Sequence, residues 1–124
     1  MQLRLAAVTL AALLFAAPAA QAHHSMAMFD LQQKKQLSGT VREFQWTNPH
    51  CYVQLVVRDA QGREVEWSLE MAAPAYLQAK GWKPRSLKAG DRITVRYYPL
   101  RNGKPGGMLD IARTADGKIV GVHS

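Results

Sequence analysis

Three features of this sequence predict a mainly β chain with one short helix. Apolar and polar residues alternate over short runs, turn-forming Gly, Asn, Asp and Pro separate those runs, and a single helical segment opens on Pro74. The first strand spans Leu37 to Trp46, with Gly39 near its start and a bulge expected before Phe44. Asn48-Pro49 makes the next turn, because the residue before a proline avoids the helical region. Strand two runs from Cys51 to Arg58 and is joined by Asp59-Ala60-Gln61-Gly62 to strand three, Arg63 to Glu70. There Val65, Trp67 and Leu69 face inward, while Glu64, Glu66, Ser68 and Glu70 face outward.

The helix carries Pro74 at a first helical position, Tyr76 and Leu77 on an apolar side, and Lys80-Gly81 as its last turn and cap. Trp82 and Leu87 are expected to close a barrel end. Strand four is Asp91 to Pro99, with Ile93, Val95 and Tyr97 on one face. Arg101 to Gly107 forms a loop, Met108 to Thr114 strand five, and Lys118 to Val122 a final short strand. Three meandering strands, a helix and two further strands follow the order of an OB-fold, a small Greek-key barrel with its helix between strands three and four. Another small barrel or a β-sandwich stays open, since strand order constrains topology only loosely.

The chain starts with a secretory pattern. Arg4 supplies a positive n-region, Leu5 to Ala17 is apolar, and Ala20-Gln21-Ala22 offers a small-x-small cleavage site. Pro18 disfavours the competing cut after Ala19. The apolar run is shorter than the ~20 residues a membrane-spanning helix needs. No second such run follows, so residues 1–22 read as a cleaved signal peptide and the rest as a soluble periplasmic protein without a transmembrane segment. The remaining 102 residues suit one domain: an N-terminal arm over 23–36, then a barrel over 37–124. Loss of Arg4 lowers the net charge from +7 to +6, which suits anionic partners or simple solubility. With Cys51 alone, no internal disulfide can form. The alternation places its thiol with Val53, Leu55 and Val57 on the core side, so it reads as buried and inert.

Cleavage after Ala22 would expose His23-His24-Ser25-Met26-Ala27-Met28. An N-terminal His offers its α-amine and ring Nδ1 to one metal ion, and the amine deprotonates readily, with an ordinary pKa near ~8. A second imidazole, from His24 or His50, completes a three-nitrogen set that suits Cu(II). Met26 and Met28 add soft thioethers that favour Cu(I). A second candidate is Trp46-Thr47-Asn48-Pro49-His50, in one of the loops OB-folds use for ligands, with Trp46 shielding the bound group. Against both, a His-His terminus binds stray metal in any protein, and a Pro turn can use its His as a backbone cap. His50 and Cys51 are strand neighbours whose side chains diverge, so they do not form a catalytic pair.

His23-His24-Ser25 with Phe29-Asp30, then Gly39-Thr40-Val41, Trp46-Thr47-Asn48-Pro49-His50, Trp67 to Glu70 and Gly90-Asp91 resemble an uncharacterised family of small secreted bacterial proteins. The resemblance covers nearly all of the chain beyond the leader and implies export and a common fold. It brings no activity, ligand or catalytic residue. Cys51 departs from it, where the family more often carries a small apolar residue, and that fits a core role. A looser likeness joins the chain to small periplasmic OB-fold copper chaperones that use His, Met and Trp, though the spacings differ.

Arg92, Thr94, Arg96 and Tyr98 alternate on one side of strand four, and Lys83, Arg85 and Lys88 follow the helix. This basic face would suit an envelope protein or anionic glycan, and a merely solvated charged surface is the plain alternative. A nucleic-acid partner is expected to be excluded, because Glu64, Glu66 and Glu70 oppose Arg58 on the outer side of strands two and three, with only Tyr52 to stack a base. No nucleophile elbow, carboxylate pair or phosphate loop is present, so an enzyme is not expected. The sequence reading is an exported copper-binding module built on His23, His24, His50, Met26 and Met28. Its alternative is an envelope interaction module using Trp46, Asn48, Arg92, Arg96 and Tyr98.

Overall fold

Alternation resolves into pairing along a computed structural model that describes residues 26–121. Its strands are β1 (Lys35–Gln45), β2 (Tyr52–Arg58), β3 (Glu64–Glu70), β4 (Arg92–Pro99), β5 (Gly106–Thr114) and β6 (Ile119–Val120), with helix α1 (Pro74–Ala79) between β3 and β4. The strand order is β3-β2-β1-β4-β5-β6, and β3 also pairs with β5. That extra pairing is parallel and links Ser68–Glu70 to Gly106–Met108, which closes five strands into a barrel. Closure with this connectivity is the OB-fold, as the order of elements predicts.

β1 reaches both neighbours because it is long and bent. Lys35–Thr40 pairs with β4 and Thr40–Gln45 with β2, and a register shift between Val41 and Glu43 puts the expected bulge at Arg42. The strand starts at Lys35, two residues before the period of its side chains would start it. β5 likewise begins at Gly106. A Cβ on Gly107 would run into the Tyr98 carbonyl oxygen and the Tyr97 ring, so a glycine lets β4 and β5 approach where the barrel closes.

Leu55, Leu69, Val41, Val53, Val95 and Cys51 are fully buried at the barrel centre. Each large aliphatic side chain there contributes about 2 kcal/mol relative to exposure. Helix α1 contributes Leu77 to the same core. The helix is short and has no side-chain cap at Ala73, so its position rests on packing and on its C-terminus. Gly81, at φ 89°, ends it: the Gly81 N–H donates to the Gln78 carbonyl and the Trp82 N–H to the Leu77 carbonyl, each at 3.0 Å. Together these two bonds form a Schellman motif, and they turn Trp82 into the core beside Leu87.

The segment before β1 is not a simple lead-in. Phe29 is 3% exposed and bridges to Leu100, and the Asp30 N–H donates to the Pro99 carbonyl at 2.9 Å. Arg101 secures the same segment, its backbone N–H donating to Met28 at 2.9 Å and its Nε to Ala27 at 3.1 Å. The arm therefore packs along the loop between β4 and β5.

Candidate functional site

The loop between β1 and β2 is held from below by the end of β3. The Cys51 N–H donates to the Ala72 carbonyl at 3.1 Å, and the Met71 N–H donates to the Cys51 carbonyl at 2.8 Å. Within the loop Thr47 Oγ1 donates to the His50 carbonyl at 2.7 Å, and the Asn48–Pro49 peptide is cis. This frame orients one ring. His50 Nδ1 lies 2.9 Å from the Met71 carbonyl oxygen, which can only accept, so Nδ1 carries the proton. In the neutral ring Nε2 then keeps its lone pair.

Glu70 Oε1 is 3.6 Å from the same Nδ1, with its side chain 17% exposed against 38% for His50. Glu70 also sits opposite Tyr52 in the β2–β3 ladder. Burial, and after it the Glu70 charge, push the Tyr52 phenol above its usual range. Cys51 is fully buried, and burial raises its thiol pKa, which makes it a poor nucleophile as the alternation predicts.

The other expected site residues separate into three places. Met26 and Met28 are exposed on the docked arm, while His23, His24 and the segment 1–22 expected to be a signal peptide lie outside the described residues. Trp46 is half-buried, edge-on to Phe44 at 5.8 Å, and Phe44 reaches Trp82 at 5.8 Å, so the indole extends the core. Asn48 is exposed in the loop. Among the described residues no three His, Cys, Asp or Glu side chains converge on a metal position.

On β4, Arg92 is exposed, but Arg96 Nε donates to Asp110 Oδ2, which Lys34 Nζ approaches to 3.6 Å. Lys34 also lies 5.4 Å over the Tyr98 ring. Arg96 and Tyr98 thus belong to a network joining the end of the arm, β4 and β5 rather than to a bare cationic stripe.

One concavity was not legible in the sequence. A cleft of about 270 Å³ opens between the arm and the β4–β5 loop, and Trp67, Tyr97, Lys35, Arg101, Lys104 and Asp30 are among its walls. Trp67 and Tyr97 meet edge to face with centroids 5.4 Å apart. Alternation assigns both rings to the core, and Arg101 and Lys104 read only as loop. Basic residues within a Gly- and Pro-rich loop were the one available signal.

The fold defines a small OB-type barrel. The chain belongs to the family of unknown function DUF6152, whose pattern matches residues 11–110. No curated protein matches it. Among solved structures it is similar to the mitochondrial single-stranded DNA binding protein Rim1 of S. cerevisiae, with 8% identity, a TM-score of 0.49, and coverage of 69% of this chain and 97% of that one.

The exclusion of nucleic acid as a partner is corrected here. The solved chain is itself a single-stranded DNA binding protein. Two of the three carboxylates that carried the exclusion are moreover charge-compensated: Arg58 lies 3.2 Å from Glu64 and Arg42 2.9 Å from Glu66. No nucleic-acid ligand passes to this chain from that likeness. Among the described residues no helix is long and apolar enough to cross a membrane.

Proposed function

We propose that this protein is an exported copper-binding module of the cell envelope. The observation that supports the reading best is the orientation of His50. Its Nδ1–H is held by a backbone carbonyl, the arrangement that fixes the tautomer and direction of metal-ligating imidazoles and leaves Nε2 for the ion. In this reading cleavage after Ala22 frees the amine and ring of His23, and His50, or His24 in its place, supplies the third nitrogen of a Cu(II) set. Exposed Met26 and Met28 serve as soft ligands to Cu(I), on an arm that Arg101 ties to the barrel. The role is binding or delivery rather than catalysis.

Native intact-mass spectrometry of the protein purified from the periplasm, with and without one equivalent of Cu(II), tests this. The expected result is a chain beginning at His23 that retains one copper against a competing chelator. A different start, or copper released as readily as from a free His-His peptide, overturns it.

A further inference from the structure

The cleft between the arm and the β4–β5 loop carries an inference independent of copper. Three cations, Lys35, Arg101 and Lys104, stand around it, and among the described residues none lies within 4 Å of a carboxylate. Arg101 spends its Nε on the Ala27 carbonyl, which aims the guanidinium while leaving its two terminal nitrogens to a ligand. The single acid of the wall, Asp30, is already engaged: Oδ1 accepts from the Gln32 N–H at 3.1 Å and Oδ2 from Gln33 Nε2 at 2.7 Å. The cleft therefore presents net positive charge to whatever enters it.

Its aromatic wall is fixed as well. Trp67 is half-buried and braced edge to face by Tyr97, itself 4% exposed, so a flat surface is presented without loss of side-chain freedom on binding. Across the β1–β4 ladder Lys35 pairs with Tyr97, so the ammonium and the ring belong to one rigid sheet. About 270 Å³ lies just below the usual range for ligand pockets, which suits one ring with one charged substituent.

We propose that this cleft binds a small anion bearing a ring, the ring lying against Trp67 and the phosphate or carboxylate meeting Arg101, Lys104 and Lys35. A sugar acid and a mononucleotide share this chemistry, and titration distinguishes them. Glucuronate, uridine monophosphate, glucose and inorganic phosphate are added separately to the full exported chain, following the Trp67 indole N–H resonance by NMR. The expected result is saturable movement of that resonance with glucuronate, uridine monophosphate or both, whichever binds naming the source. Lys35→Gln with Lys104→Gln should weaken it roughly tenfold. Binding of inorganic phosphate alone or glucose alone as tightly as the ring-bearing anions overturns the proposal. So does an unmoved Trp67 resonance at millimolar ligand, or affinity unchanged in the double variant. Copper binding is read separately by mass, so either proposal can fail without the other.

Discussion

His50, in the β1–β2 loop, and Met71, just after β3, meet imidazole Nδ1 to backbone carbonyl at 2.9 Å. Because the acceptor belongs to backbone at the end of β3, the ring direction is set by the fold rather than by a side-chain neighbour. His50→Ala should lower Cu(II) affinity by roughly tenfold or more. It should also cost about 1 kcal/mol of stability through the lost hydrogen bond. Chelator competition and urea denaturation measure the two effects separately. Unchanged affinity with lowered stability would leave His50 a loop clamp only.

Arg101 ties the arm to the β4–β5 loop through two bonds to the Ala27 and Met28 carbonyls. The guanidinium bond is lost in Arg101→Ala and the backbone bond is kept. The arm should then open more often by about 1 kcal/mol. Chymotrypsin should cut at Phe29 several-fold faster than in the parent chain. Lys104→Ala, which removes a charge without touching the arm, should leave the cutting rate unchanged.

Gly107 sits on β5 between β4 and β3, paired with Pro99 and Leu69, with no room for a Cβ between it and the Tyr98 carbonyl. Gly107→Ala should cost about 2 kcal/mol or more and loosen the parallel β3–β5 seam. Hydrogen exchange at Leu69 and Met108 should accelerate before exchange at Val53 or Leu55. Equal acceleration everywhere would mean that the seam is not a separate weak point.

Alkaline pH should destabilise the fold. Burial raises the Cys51 thiol above its ordinary 9.0 and the Tyr97 phenol above its ordinary 10.0, and Tyr52 follows Tyr97. For these acids the neutral form is favoured in the folded chain, so the unfolded chain releases protons first. The associated stability is complete below the unfolded values and is lost as pH rises through the folded ones. The urea midpoint should fall from about pH 9 upward, and Cys51→Ala should remove the first part of that fall.

Much of the fold was legible because it is local. The bulge before Phe44, the Pro74 start and Gly81 end of the helix, and the inward Ile93, Val95 and Tyr97 all follow from spacing or from a single residue's conformational preference. The seam between Ser68 and Gly106 joins residues far apart in the chain and leaves no periodic trace, so β5 begins two residues before its apolar pattern does. The arm was illegible for the same reason. Phe29 has no repeating partners nearby, and its neighbour Leu100 lies beyond four intervening strands. His50 was readable as a loop histidine, but its orientation needed Met71. The cleft needed the arm and the loop together, since Trp67 and Tyr97 alternate like ordinary core residues.

Cys51 is the chain's sole thiol, and its side chain has no accessible surface. An alkylating reagent held in excess cannot reach it until strands part, and each molecule that parts is marked once and permanently. The fraction marked over time is therefore a clock for whole-barrel opening, and it runs without any engineered label. In an oxidising compartment the same seal keeps the chain from being cross-linked to its neighbours for as long as it stays folded.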